Sequence, residues 1–187
     1  MNALKNELLS RLPWVPVATL VGGLGFIWVQ LAFADWGNIA DYIGGAIVEQ
    51  GGYPERFASP IGWTLHLGIS FSYVMLALTL TALPFLPAGR NARLAVYGVL
   101  SAVLGVATTA ITGPAIATTI SLLAGNVLPA ELPGIAVAND LTLWNHVVFF
   151  AVAFGLVGAA PDCLRAGTPF EARDPFSSVT GMPAAQT

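Results

Sequence analysis

His66 and His146 are the two imidazoles of this chain, and each stands in an otherwise apolar stretch, Trp63-Thr64-Leu65-His66 and Trp144-Asn145-His146-Val147. Imidazole can ligate iron, hydrogen-bond a small molecule or pass a proton. Both lie about five residues beyond the start of an apolar segment, so at roughly 1.5 Å of rise per residue they reach the same depth. Gln30 lies about five residues before the end of a segment running the other way, again in the same slab. Thr112, ahead of Gly113-Pro114, falls in the outer third of another, and Ser70 and Asn145 are close to the histidines in sequence. Polar side chains in lipid are costly and usually face the bundle interior, so these six are expected to converge.

Three chemistries fit such a layer. His66 and His146 could be axial ligands of a b-type haem between two helices, walled by Trp63, Phe71, Trp144, Phe149 and Phe150. The layer could instead hold a small polar ligand, a quinone headgroup or a proton, with Pro114 loosening its helix nearby. Or the side chains could bond across helices and fix register, at about 0.6 kcal/mol each and at most ~2. A metal site is not expected, since two histidines without carboxylate or thiolate leave too few ligands unless Asp35 or Asp140 reaches in. No nucleophile stands beside a base and no glycine loop could cradle phosphate. No catalytic residue is assigned.

The elements that must position these residues follow from composition. The chain is 56% apolar and 9% charged, with a mean hydropathy of +0.74, whereas about a quarter of a soluble domain is charged. This is the composition of an all-α integral membrane protein. Its apolar segments, at about 14–34, 61–83, 94–123 and 141–160, are each long enough to cross a bilayer, which needs about 20 residues. They predict one four-helix membrane domain over roughly residues 1–160, followed by an irregular cytoplasmic tail over roughly 161–187. Lys5 and Arg11 before Ala32-Phe33-Ala34 imitate a secretion signal, but the apolar run between them is too long for one.

The residues before Trp14 read as a short amphipathic lead-in on the membrane surface. In the first outer connection, Ile39, Ile43 and Ile47 oppose Asp41 and Glu49, predicting an interfacial helix. A second interfacial helix is expected after Gly125, in a segment broken by Pro129 and Pro133. Six of the seven Lys and Arg (Lys5, Arg11, Arg90, Arg93, Arg165, Arg173) fall on one side of this arrangement and Arg56 on the other. The positive-inside rule then places both termini in the cytoplasm. The compact Ala/Gly-rich spans suit a bacterial inner membrane. A net charge of −3 without a basic run excludes a nucleic-acid footprint, and the lone Cys163 excludes an internal disulfide.

The third segment carries small residues at every fourth position, Ser101, Gly105, Thr109, Gly113 and Ala117. Such stripes let helix backbones approach closely in lipid, so this helix is expected to be central. Surplus stripe could serve a larger membrane assembly or a homo-oligomer. The leading expectation is therefore a non-enzymatic accessory or structural membrane subunit. The haem-binding electron-transfer or anchor subunit and the ligand, quinone or proton site are the alternatives.

Thr64-Leu65-His66, then Thr112-Gly113-Pro114, then Trp144-Asn145-His146 resemble, in order and spacing over roughly residues 61–160, the YagU type of small bacterial inner-membrane protein. The resemblance implies a multi-pass fold and a compartment. That family carries an acidic residue shortly before its last histidine, where this chain offers Asp140 or Asn145.

Overall fold

The computed structural model describes residues 2–34, 37–83, 86–87, 89–125, 128–129 and 131–161. Asp35, Trp36, Pro84, Cys163, Arg165, Arg173 and the expected irregular tail lie outside them. Among these residues six helices follow one another: α1 (Asn2–Arg11), α2 (Trp14–Phe33), α3 (Ile39–Gly51), α4 (Ala58–Thr81), α5 (Arg90–Leu123) and α6 (Leu141–Phe154). A 3-10 turn, Glu55–Phe57, leads into α4, and α6 continues through a π turn at Gly155–Ala159. No strand occurs among the described residues. Four of the helices, α2, α4, α5 and α6 with its π turn, are long and apolar enough to cross a membrane.

Local chemistry sets the helix starts. Asn38 caps α3 by accepting from the Asp41 N–H at 3.0 Å while its amide donates to the Asp41 carboxylate at 2.7 Å. Asp140 caps α6, accepting from the N–H groups of Thr142 and Leu143 at 2.9 and 3.2 Å. Such caps satisfy helix N–H groups that have no partner within the helix. At the other end of α3, Gly52 closes the helix with a positive φ of 66°, a conformation that costs glycine little.

The hub of the bundle is α6. It packs against α2, α4 and α5, whereas α5 lies along α6, touches α3, and makes no extensive contact with α2 or α4. The expectation that the third span is central is therefore corrected. The reason is visible in the side chains: α6 carries Phe149, Phe150, Ala153, Phe154 and Val157 into the main core, where Val15, Ala18, Val74, Ala77, Leu78 and Tyr97 meet them. Large aromatic groups reach several neighbours at once. The small stripe of α5 permits one very close neighbour only. Ser101, Gly105 and Thr109 are buried, Ala117 is half-buried and Gly113 is exposed. A methyl added at Gly105 would lie 2.5 Å from Val147 Cγ2 and 2.9 Å from its Cα. Gly105→Val should therefore part α5 from α6 and cost about 1–3 kcal/mol. Gly98→Ala, whose methyl would meet nothing within 4 Å, should gain about 0.5–1 kcal/mol from helix propensity. Thermal unfolding of the two variants in one detergent checks the pair.

A second, smaller core forms where α3 wedges between the first turns of α4 and the last turns of α5. Ile43, Ile47 and Ile120 are buried there with Ile39, Ile61, Leu65 and Ile116 around them. The isoleucine face of α3 is thus turned onto two helices. Tyr53 ties the same corner by donating to the Leu123 carbonyl at 3.1 Å. The second interfacial helix expected after Gly125 does not occur among the described residues, of which 131–140 are exposed and irregular. Pro129 and Pro133 remove backbone donors four residues apart, and a helix cannot propagate across them. Pro114, in contrast, is absorbed within an unbroken α5.

At the opposite end, α1 delivers Arg11 into the protein. The guanidinium is 1% exposed. It donates to the carbonyls of Val157 and Gly158 at 3.0 and 2.6 Å and pairs with Glu7 at 3.1 Å. Thr81 of α4 and Tyr97 of α5 close on Gly158 from the other side.

Candidate functional site

Because α4 and α5 do not close on one another, a cavity of about 410 Å³ remains between them. It lies beneath Ile39, Tyr42 and Ile43 of α3 and is backed by Phe26 and Gln30 of α2 and by Thr142, His146 and Phe149 of α6. Five of the six residues expected in the polar layer line it: Gln30, His66, Ser70, Thr112 and His146. The remaining wall is mainly aliphatic and aromatic.

Four of these polar groups, those of His66, His146, Thr112 and Gln30, are fixed by a backbone partner. His66 Nε2 donates to the Gly23 carbonyl at 2.9 Å, across from α4 to α2. His146 Nδ1 donates to the Thr142 carbonyl one turn earlier at 2.8 Å and lies 3.2 Å from the Thr109 hydroxyl. Thr109 in turn donates to the Gly105 carbonyl at 2.7 Å, and Thr112 to the Thr108 carbonyl at 2.7 Å. Gln30 Oε1 accepts from the Ile39 N–H at 3.0 Å, joining the end of α2 to the start of α3. Phe26 sits against both imidazoles, with ring centroids 5.7 Å from His66 and 5.1 Å from His146. Trp63 meets His66 edge-on at 6.2 Å.

Asn145, the sixth residue, does not line the cavity. It turns the other way and donates to the Phe26 carbonyl at 3.0 Å. Gly23 and Phe26, three residues apart, thus offer carbonyls to α4 and α6 from one face of α2. Asn145→Ala should cost about 0.6 kcal/mol and no more than ~2, the range for hydrogen bonds between membrane helices. A denaturant titration in detergent measures it.

The two histidines do not fit a bis-imidazole haem in this arrangement, because a planar macrocycle between them would take the space in which Phe26 touches both rings. Of the aromatic residues expected to wall a haem, Phe71 and Trp144 are exposed and Phe150 belongs to the main core. Phe149 lines the cavity and Trp63 touches His66. Among the described residues no group of three or more His, Cys, Asp or Glu side chains could hold a metal ion. Asp140 is a helix cap.

Sequence reasoning missed Phe26 and Tyr73, and it read Thr109 as a packing residue without its contact to His146. A phenylalanine in an apolar helix carries no distinguishing mark, and Thr109 belongs to the small stripe. The positions of Phe26 and Gln30 one turn apart were the available signal, since residues four apart share a helix face.

No protein family, curated protein or solved structure matches this chain.

Proposed function

We propose that this is a small inner-membrane protein whose function is to bind a small amphiphilic molecule in the cavity between α4 and α5. The observation that carries this reading is the convergence of Gln30, His66, Ser70, Thr112 and His146, from four helices, on one otherwise apolar cavity. A concave, mostly apolar site with a few placed polar groups is the usual form of a small-molecule site. Of the roles weighed on sequence, this is the one for which the fold supplies a place. Packing with a larger assembly is compatible with it. Both termini are cytoplasmic in this proposal, supported by Arg11, Arg90 and Arg93 at one end of the bundle and Arg56 at the other. The likeness to the YagU type belongs to the same proposal.

The test is mass spectrometry of the protein released from mild detergent, compared with an Ile116→Trp variant that fills the cavity. The expected result is a bound organic molecule on the native protein and its loss from an equally well-folded variant. If the native protein carries none and takes up no apolar alcohol, quinone or hydroquinone supplied to it, the reading fails.

A further inference from the structure

Resting on the binding role just proposed, the geometry points to the class of ligand: we infer an aromatic dihydroxy head, a hydroquinone, carrying an apolar tail. The argument turns on which atoms of the polar groups are already committed. A carbonyl oxygen can only accept, so the ring nitrogen beside it carries the hydrogen. His66 therefore has its hydrogen on Nε2, facing Gly23, and His146 on Nδ1, facing Thr142. A neutral imidazole carries one such hydrogen, and its second nitrogen is an acceptor. His66 Nδ1 and His146 Nε2 have no hydrogen-bond partner among the described residues. Both rings are over nine-tenths buried and both line the cavity. Thr112 has spent its hydroxyl hydrogen on Thr108 and presents lone pairs. Gln30 has its oxygen occupied by Ile39 and keeps an amide donor, and Ser70 can serve in either sense.

The two histidines thus ask for hydrogen-bond donors. A quinone head, which only accepts, leaves both bare nitrogens unmet, and an unmet buried polar group costs binding free energy. A hydroquinone brings two O–H donors on opposite sides of a flat ring. Phe26, Tyr42, Tyr73 and Phe149 supply aromatic walls for such a ring. An apolar tail leaves through the gap between α4 and α5, past Ile69, Ala115 and Ile116.

The experiment uses the full chain in mild detergent under anaerobic conditions. Three probes with one alkyl tail are compared: an alkylhydroquinone, the corresponding alkyl-para-benzoquinone and the hydroquinone dimethyl ether. Equilibrium dialysis should give at least tenfold tighter binding of the hydroquinone than of the other two. His146→Phe keeps a ring and removes the acceptor, so it should reduce that preference to within about threefold by weakening hydroquinone binding and relieving the cost the quinone pays at the unmet nitrogen. Equal binding of all three probes, or tighter binding of the quinone, overturns the hydroquinone assignment and leaves the binding role standing. Binding of none of them overturns both. A His146→Phe protein that folds and keeps the full preference also overturns the assignment.

Discussion

Gly44→Ala should lower stability by about 3 kcal/mol, whereas Gly45→Ala, one residue along the same helix, should leave it unchanged or slightly raised. A methyl at Gly44 would collide with the carbonyl of Ala58, and a methyl at Gly62 with the carbonyl of Ala40. Both obstacles are backbone. A flexible side chain could swing aside, but here the only relief is to move α3 away from α4. Gly45 faces open space, and a methyl there meets nothing within 4 Å. For a chain of this size a loss of about 3 kcal/mol corresponds to roughly 6–12 °C in thermal midpoint. Gly62→Ala should behave like Gly44→Ala, and the two together should cost less than their sum, because the first has already parted the helices. The same change should impair ligand binding, since Ile39, Tyr42 and Ile43 of α3 line the cavity. A normal midpoint for Gly44→Ala would mean that the helices do not approach as described.

The second large effect is expected at Arg11. Replacing it with Met keeps much of the side-chain volume and removes the charge-assisted bonds to Val157 and Gly158. Hydrogen bonds to charged groups contribute about 1.5–3 kcal/mol each, so the loss should reach about 3 kcal/mol or more. Arg11→Lys should recover about half of it, because one ammonium cannot span both carbonyls as the guanidinium fork does. Glu7→Gln should cost under ~1 kcal/mol, since Glu7 is 38% exposed and its pair with Arg11 is partly screened by water. Denaturant midpoints rank the three variants, and protease cleavage within α1 reports whether its helix has come away.

Much of the helical layout was legible because it rests on composition. Long uncharged runs bounded by Pro, Asp and Arg place α2, α4, α5 and α6 within a few residues of their observed ends. That His66, His146, Gln30 and Thr112 meet at one cavity was legible for a geometric reason, the fixed rise of a helix. Direction around the helix axis was harder. Asn145 and His146 are adjacent, yet one turns to the Phe26 carbonyl and the other to the cavity. The centrality of α6 was hidden because a stripe of small residues is conspicuous in a sequence, whereas Phe149, Phe150 and Phe154 look like any apolar run. Small residues show where a close contact is possible, and only the partner's bulk shows how many helices share it. Arg11 read as a charge that fixes topology. Its burial depends on carbonyls from the far end of the chain, which local pattern cannot indicate.

That pairing has a consequence for biogenesis. Arg11 precedes the four long apolar helices in the chain, and its acceptors, Val157 and Gly158, lie in the last turns of the fourth, so they are synthesised well over a hundred residues later. Throughout the interval the guanidinium lacks these two carbonyls and must keep its hydration, because a buried charge without partners is costly. Sealing of Arg11 is thus a late event in assembly. A chain interrupted before Val157 would lack the carbonyls that hold Arg11, and its first helix would have lost this anchor to the bundle.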